Sequence, residues 1–282
     1  MKSKISVLAC SLTAAALITA CNGSSSGSKK DSQVRTGFAM TGSGANAVAQ
    51  TRMDRMLSFM LPSAYALTPP LLVDSSGANI SLNEAWVVIE KIEFEGAETG
   101  DDGDDDFSVE LKGPFFVDLL SDAPNILGEP LVTTGKLRRV KMQLHEEDDI
   151  PARAPAGLAG KSIYLRGEVN GIPFSYAADE SSQYEISGPN GVTPEESQNL
   201  LAVIRTADLI KKIDLSSIIA PTDITTDNKV FVANACPLID PSANELYVCF
   251  RKGLEQEADF GKDDGDMDLD ENDDSVDSVD QQ

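Results

Sequence analysis

The chain has 282 residues and a formal net charge of −23 at pH 7, because 46 acidic residues outnumber 23 lysines and arginines. A surface this negative repels the phosphates of nucleic acids and anionic lipid headgroups. We therefore expect no nucleic-acid partner and favour cations or basic surfaces. The length is enough for one large or two small domains with a substantial core.

Residues 1–20 have the pattern of a secretory signal. Lys2 and Lys4 give a basic start, and the apolar run over 5–18 is shorter than the roughly 20 residues that span a bilayer. The segment ends in Ile18-Thr19-Ala20-Cys21, where an aliphatic residue and two small residues precede a cysteine. This motif resembles the lipobox of bacterial lipoproteins.

The lipobox resemblance implies that residues 1–20 are removed and that Cys21 receives fatty acyl chains, palmitate among them, as the new first residue. Each buried CH₂ of an acyl chain contributes about 0.8 kcal/mol, so three chains hold a protein on a membrane more firmly than one. Asn22, rather than Asp, follows the cysteine. By resemblance to enteric lipoproteins, this implies export to the outer membrane. The alternative is an ordinary cleaved signal that leaves Cys21 as a free thiol.

Residues 21–50 are predicted to be a flexible tether, because Ser, Gly and Lys dominate their first part. In the segment 51–70, four apolar residues recur at the spacing of a helix face, and Pro62 ends the pattern. They are Met53, Met56, Leu57 and Met60. The predicted short amphipathic helix either docks on the domain or meets a membrane surface or a partner, since methionine side chains are adaptable.

A β-sandwich domain is predicted over 71–254. In 86–95 the apolar residues share one parity and the charged residues share the other, as in a half-buried strand. The apolar set is Trp86, Val88, Ile92 and Phe94, and the charged set is Lys91, Glu93 and Glu95. Further strands are predicted at 107–111, 114–120, 137–144, 163–169, 172–176, 184–187, 200–204, 230–232 and 246–250.

Local signals support this division of the chain. Asn170-Gly171 tolerates positive φ and predicts a tight hairpin, and Thr206 can cap a brief helix over 206–213. About ten short strands with one two-turn helix favour an all-β fold. We expect an antiparallel two-sheet β-sandwich with a Greek-key or immunoglobulin-like tendency. Residues 255–282 hold 13 acidic residues and one lysine, which predicts a disordered acidic tail.

Three segments of the predicted sandwich carry a family resemblance. They are 86–94, Val117-Asp118-Leu119-Leu120 and Gly135-Lys136-Leu137-Arg138-Arg139-Val140. They resemble the first strand, an Asp-Leu-Leu after the second strand, and a glycine turn before a basic strand in a domain-of-unknown-function family of bacterial envelope lipoproteins. That family often has an aromatic residue where Leu137 stands. The resemblance covers about residues 71–215 and implies a sandwich, with no catalytic residues to carry over.

Cys236 and Cys249 are the cysteines that remain once the signal is removed and Cys21 is acylated. They are 13 positions apart, and export places them where disulfides persist. We predict a disulfide between them, worth about 3 kcal/mol in the chain-entropy model. The alternative, a zinc site, lacks nearby third and fourth ligands.

His145 is the only histidine of the chain, and nucleophilic catalysis at neutral pH usually needs a base with a pKa of about 7. The acidic residues that follow it favour a solvated surface histidine, with a metal ligand as the alternative. Paired carboxylates cleave glycosides only when folding places them about 5 to 9 Å apart in a cleft. We expect no enzyme activity, because no motif carries a mechanism.

Calcium is the one cofactor that the sequence suggests. Aspartates stand at the first, third and fifth positions of a helix-loop-helix calcium loop, but Leu269 occupies the sixth, where glycine belongs, and Ser275 the twelfth, where glutamate belongs. We expect at most a looser, weak site. The candidate ligands are Asp264, Asp266, Asp268 and Asp270, with a second acidic cluster at Asp101, Asp102, Asp104, Asp105 and Asp106. The alternative is a solvated charge run that keeps the protein soluble.

These features predict a lipid-anchored protein of the outer membrane that presents a non-catalytic β-sandwich as a binding module. By analogy with other sandwiches, the ligand is a glycan or another envelope protein. Exposed Trp or Tyr on a sheet face would favour a glycan, whereas a buried Trp86 would remove the best stacking residue. The alternatives are a structural lipoprotein whose acidic tail collects calcium and, less favoured, a hydrolase.

Overall fold

The computed structural model describes residues 33–43, 72–97, 106–121, 123–133, 135–196, 198–218, 223–224, 235–263, 269 and 275–276. The strands in these residues are β1 (Gln33–Arg35), β2 (Phe38–Ser43), β3 (Leu72–Val73), β4 (Asn79–Ala97), β5 (Asp106–Asp118), β6 (Asn125–Gly128), β7 (Leu131–Thr133), β8 (Lys136–Leu144), β9 (Ile163–Val169), β10 (Ile172–Ala178), β11 (Ser182–Val192), β12 (Asn199–Arg205), β13 (Asp223–Ile224), β14 (Ala258–Asp263) and β15 (Ser275–Val276). The α-helices are α1 (Thr206–Lys212) and α2 (Leu246–Gln256). Two short 3-10 turns lie at Ala156–Leu158 and Leu215–Ile218.

The larger sheet is organised around β4, which runs for 19 residues. Its strand order is β11-β8-β4-β9-β10-β13, and β3 and β5 pair with the other side of β4. β8 and β9 lie end to end along one side of β4, because Leu144 pairs with Ile89 and Ile163 pairs with Val87. Residues 145–162 therefore leave the sheet as a loop between two collinear strands.

The inner face of the larger sheet is covered by a second sheet at one end and by helices at the other. The second sheet has the order β15-β14-β12-β2-β6, with β2 parallel to β12. The rings of Phe38 in β2 and Phe94 in β4 meet edge to face at 4.9 Å between centroids. At the end where β4 begins, Phe250 of α2 stacks on Tyr176 of β10 at 4.9 Å. The main core lies between the larger sheet and these covers.

This arrangement confirms the predicted all-β, sandwich-like fold with antiparallel sheets and two helices in the described residues. The Greek-key or immunoglobulin-like detail stays a prediction. The predicted hairpin is present: Asn170 has φ 51° and Gly171 has φ 79°, the left-handed conformations that an Asn-Gly turn accommodates. The segments predicted at 107–111 and 114–120 form a single strand, β5.

The predicted flexible tether over 21–50 is wrong for residues 33–43. These residues form β1 and β2, and β2 lies inside the second sheet between β12 and β6. Phe38 and Met40 are buried in the main core. Gly42 allows a close approach, because a Cβ atom there would lie 1.9 Å from the Leu119 carbonyl oxygen. The two glycines of this stretch, Gly37 and Gly42, reflect tight packing rather than a linker.

Two predictions near the carboxyl end are also wrong. Residues 246–250, predicted as a strand, begin helix α2, whose buried residues include Leu246, Phe250 and Leu254 at a spacing of four. Residues 255–263 of the tail predicted to be disordered instead continue α2 and form β14, which pairs with β12. The acidic Asp259 of β14 is buried with its carboxylate 3.1 Å from Arg205, so its charge is compensated.

The helix predicted over 206–213 is present as α1, but Thr206 is not its N-cap. Arg205 holds the cap position, and no side chain caps the helix. The Thr206 hydroxyl instead lies 3.4 Å from the carbonyl oxygens of Leu119 and Ile204. The predicted amphipathic helix over 51–62 and the predicted strand at 230–232 lie outside the described residues. No helix in the described part of the chain is both long and apolar enough to cross a bilayer.

Candidate functional site

The outward face of the larger sheet changes character halfway along β4. Where β4 passes Glu90, it has one more residue than β8, since Ile89 pairs with Leu144 and Lys91 with Gln143. This β-bulge reverses the alternation of the strand. Val87 and Ile89 point into the main core before it, and Ile92 and Phe94 after it. The prediction that Trp86 and Val88 share a face with Ile92 and Phe94 is therefore wrong, because the sequence does not mark the bulge.

Beyond the bulge, the described side chains of the outward face are charged or polar, and we call this half of the sheet surface the charged face. Its ionised residues are Lys91, Glu93, Glu95, Glu110, Lys112, Arg139, Lys141 and Glu185. Arg139 bridges two strands, with Nε 2.8 Å from Glu185 and Nη1 3.1 Å from Glu95. Lys141 also pairs with Glu95. Positive and negative side chains alternate across the strands. Their charges therefore balance on this face, although the protein as a whole is very acidic.

Glu95 pairs with two cations of the charged face, Arg139 and Lys141. Partial burial alone would raise its pKa, but hydrogen bonds and charges from Lys141 and Arg139 outweigh that effect and hold the pKa below its usual value. Glu95 therefore stays ionised in the folded protein to a lower pH than in the unfolded chain.

Immediately before the bulge, around Trp86 and Val88, the outward face is apolar and lies under the 145–162 loop. Trp86, Val88, Leu158, Tyr164 and Ala177 form a second, smaller core, here called the covered cluster. Trp86 is only 6% exposed. Among the loop contacts over it, the guanidinium carbon of Arg153 lies 6.0 Å from the ring centroid. An Arg153 Nη2 group also donates a 3.1 Å hydrogen bond to the carbonyl of Phe116 in β5.

The burial of Trp86 removes the stacking residue that a glycan ligand would use on this face. The described tyrosines are buried as well, namely Tyr164, Tyr176, Tyr184 and Tyr247. The large apolar side chains that the described surface does expose are all aliphatic: Val73, Ile126, Leu131, Ile172 and Leu238. Aliphatic side chains have no aromatic ring face on which a sugar could stack, so the exposed apolar side chains of the described residues do not favour a glycan.

Two carboxylates to which the sequence assigned no functional role, Asp118 and Glu84, lie at the rim of the covered cluster. Asp118 of β5 pairs with Trp86 of β4. The pKa of the Asp118 carboxyl is raised, first by partial burial and also by the charge of Glu84. The hydrogen bond from the Leu120 N–H and the charge of Arg153 lower this pKa, but they do not cancel the increase. The Glu84 Oε2 atom is buried without a hydrogen-bond partner in the described structure, and its Oε1 is 3.7 Å from Arg166. Asp118 interacts with Arg153 and Glu84 with Arg166, so the rim carries both negative and positive side chains.

His145 lies where β8 ends and the loop begins. Its Nδ1 atom is 2.7 Å from the Ser181 hydroxyl, and its backbone N–H donates to the Val88 carbonyl at 3.2 Å. The histidine is half-buried, and the nearby Glu147 carboxylate accepts the backbone N–H of Asp149 at 3.0 Å. The prediction of a solvated histidine misses the Ser181 contact, which fixes the ring at the junction of two strands.

The predicted calcium ligands lie almost entirely in segments that the structure does not describe. Most of these candidate ligands lie outside the described residues, as does Cys21, and the side chain of Asp106 is not described. The candidate ligands outside are Asp264, Asp266, Asp268, Asp270, Asp101, Asp102, Asp104 and Asp105. Within the described ranges, no three His, Cys, Asp or Glu side chains are grouped as a metal site would require. A calcium site in these segments stays a prediction.

The predicted disulfide is present, with the sulfur atoms of Cys236 and Cys249 at 2.10 Å and their Cα atoms at 5.7 Å. It ties the amino-terminal half of α2 to the loop that precedes the helix. Both cysteines are buried in the main core. The bond therefore fixes this loop against the body of the protein.

No family model, no curated protein and no solved structure matches this chain.

Proposed function

We propose that this chain is a lipid-anchored protein of the bacterial outer membrane whose β-sandwich binds another envelope protein. The lipobox-like motif that ends at Cys21 supports the anchor. The Cys236–Cys249 disulfide supports an oxidising, exported environment. The observation that carries the choice of ligand is the burial of Trp86 and of the described tyrosines beside exposed aliphatic side chains.

The short distance in sequence between the anchor and β1 limits where the ligand can be. Only residues 22–32 separate Cys21 from Gln33, the first residue of β1. A fully extended chain of this length reaches about 40 Å. An anchor at Cys21 would therefore keep the start of β1 within about 40 Å of the bilayer, and the ligand would have to lie within reach of a body tethered in this way.

The anchor is tested by substituting the cysteine that the lipobox assigns. The Cys21→Ser protein should lose incorporation of labelled palmitate and leave the membrane fraction, whereas the Cys10→Ser protein, altered at the other cysteine of the signal, should keep both. A Cys21→Ser protein that remains in the membrane fraction would contradict the proposal.

The ligand class is tested with Trp86, the only tryptophan of the chain. Soluble envelope glycans added to the purified full-length protein in detergent should leave the Trp86 emission spectrum unchanged and release no binding heat. A saturable heat of binding, or a saturable change in Trp86 emission, on addition of a glycan would show that the ligand is a carbohydrate rather than a protein.

A further inference from the structure

Two buried side chains of β12 belong to neither of the two cores described above. Leu201 is 1% exposed and Val203 is 2% exposed, yet neither is part of the main core or of the covered cluster. The alternate residues of the strand, Leu200, Ala202 and Ile204, face the main core. Leu201 and Val203 therefore lie on the outward face of the second sheet.

These two side chains need a cover that lies above the sheet. Their described neighbours on the same face lie beside them in the sheet and are Ala39 and Thr41 of β2 and Asp259 and Gly261 of β14. Helices α1 and α2 bury their apolar side chains in the main core, on the opposite face. The structure contains this chain alone, so the cover has to come from another part of the same chain.

The pattern of exposure shows how wide this cover is. Ile126, Ala39, Leu201 and Gly261 form one row across the sheet from β6 to β14. Ile126 at the β6 edge is 81% exposed, whereas Leu201 and Gly261 are buried, as is Asp259 in the row of Val203. The cover therefore lies over β12 and β14 and leaves β6 open. Strands are about 5 Å apart and a helix is about 10 Å across, so one helix has this width.

The segment that follows β2 has the sequence of such a helix. Residues 44–71 lie outside the described residues. Within them, four apolar residues recur at the spacing of one helix face, namely Met53, Met56, Leu57 and Met60. We call these four residues the methionine stripe. Unbranched methionine side chains adapt to the shape of an apolar surface, so they suit a cover over a sheet.

Both ends of this segment start close to the buried pair. Ser43, the last residue of β2, pairs with Arg205 of β12. Beyond the other end, the Ser75 N–H donates a 3.2 Å hydrogen bond to the Ile213 carbonyl. Ile213 follows α1, a helix of seven residues, about 10 Å long, that begins where β12 ends. An extended chain spans about 3.3 Å per residue, so the linkers on either side of the stripe reach about 30 Å.

Charge favours residues 44–71 over the segment that follows β14. Asp259 and Asp263 lie on the outward face and are both buried. Residues 44–71 contain two arginines and one acidic residue, in a chain with a net charge of −23. Residues 264–274, which connect β14 to β15, contain seven acidic residues and no lysine or arginine. The second segment would bring like charge to this face, whereas the first brings cations.

From these observations we infer that the methionine stripe packs on Leu201 and Val203, as a third layer on the outward face of the second sheet. Of the roles that the sequence left open for this segment, docking on the domain is selected over a membrane surface or a partner. The inference goes beyond the proposed function and depends on neither the anchor nor the ligand.

Oxidation by hydrogen peroxide tests this contact in the purified full-length protein, because a methionine sulfur reacts where peroxide reaches it. Mass spectrometry gives the rate for each methionine. Met56 should react at least about tenfold more slowly than in the urea-unfolded chain, and Leu201→Ser should remove most of this protection. The matched control is Ile126→Ser, in the same row but beyond the cover, and it should leave the protection unchanged. Met142, fully buried in the main core, reports whether the fold is intact.

Three outcomes would overturn the inference. Met56 reacting as fast in the folded protein as in the unfolded chain would mean that the stripe is uncovered. Equal protection of Met56 in the Leu201→Ser protein would mean that detergent or another surface covers it. Faster oxidation of Met267 in place of Met56 would assign the cover to residues 264–274.

A smaller change keeps the test decisive if Leu201→Ser also exposes Met142. Leu57→Ala and Leu201→Ala should each raise the unfolding equilibrium constant in urea. Together they should raise it at least about twofold less than the product of the single effects, because both remove the same contact. The effects of Ser58→Ala, which lies off the stripe, and Leu201→Ala should multiply. Effects that multiply in both pairs would contradict the contact.

Discussion

The two halves of the outward face of the larger sheet lie on the same strands and have opposite chemistry. On one side of the bulge at Glu90, the charged face meets solvent with alternating ion pairs. On the other side, Trp86 and Tyr164 are buried under the 145–162 loop. The difference shows that strand position alone does not decide whether an outward residue is polar. What covers the face decides it, and here the cover comes from a loop between β8 and β9.

The strongest test of this contrast is Leu158→Ala. Leu158 is fully buried in the covered cluster, and removing a buried leucine side chain costs about 2 to 5 kcal/mol of unfolding free energy. Urea denaturation followed by Trp86 emission measures the loss. The matched change on the charged face, Lys112→Ala, should stay within about 0.5 kcal/mol of the unsubstituted protein. Equal losses from both substitutions would mean that the loop does not build a core.

A smaller effect is expected from Arg153→Ala, which removes the cation over the Trp86 ring and the hydrogen bond to Phe116. The free energy of unfolding should fall by about 1 kcal/mol. Trp86 emission should shift to longer wavelength, and acrylamide should quench it more efficiently, because the ring gains water contact. Arg166→Ala removes a nearby arginine that pairs with Glu84 instead, so it should leave the emission unchanged. A red shift of the same size in both proteins would contradict the role given to Arg153.

The smallest predicted effects are changes in stability with pH. They have opposite signs for carboxylates in the two halves of the outward face. The pKa of Glu95 is lowered in the folded protein, so its stabilisation is present above its unfolded pKa and is lost as the pH falls through the folded pKa. The pKa of Asp118 is raised, so the unfolded chain releases this proton first and stability falls as the pH rises between the two pKa values.

Relative to the unsubstituted protein, Glu95→Gln should therefore lose stability and Asp118→Asn should gain stability as the pH rises from about 3 to 7. Each difference should be under about 1 kcal/mol, because both groups are partly solvated. Urea denaturation across this pH range measures both. Differences of the same sign would show that the two carboxylates do not lie in contrasting environments.

Strands with one buried face and one solvent-exposed face were predictable from the sequence. The predicted strand over 137–144 alternates in this way from Arg139 onward and forms most of β8, and the Asn-Gly turn identified the β9–β10 hairpin. The 145–162 loop has no periodicity, so nothing in the sequence showed that it covers Trp86. The unbroken apolar run Trp86-Val87-Val88-Ile89 was the available signal, because a strand apolar on both sides has to be covered on both.

The remaining errors come from contacts distant in the chain. β2 is defined by parallel pairing with β12, where Phe38 lies opposite Leu200, and neither segment predicts the other by its own pattern. The five-residue apolar run 246–250 fits a buried strand as well as a helix, and only its continuation to Leu254 separates the two. The disulfide was predicted from the number of cysteines and the predicted export. The exposure of Leu238 was not predictable in this way, because it depends on which side of the loop before α2 faces that helix.

The order of strands in the second sheet has a consequence for when this sheet can form. β2, β6, β12 and β14 are neighbours in this sheet, although they come from four distant places in the chain. A chain synthesised from its amino end contains Phe38 long before β14, whose Phe260 ring lies 6.4 Å from the Phe38 ring. The second sheet is therefore completed only after almost all of the described chain has been made. Versions truncated before Ala258 should be cleaved by an added protease faster than the full-length chain.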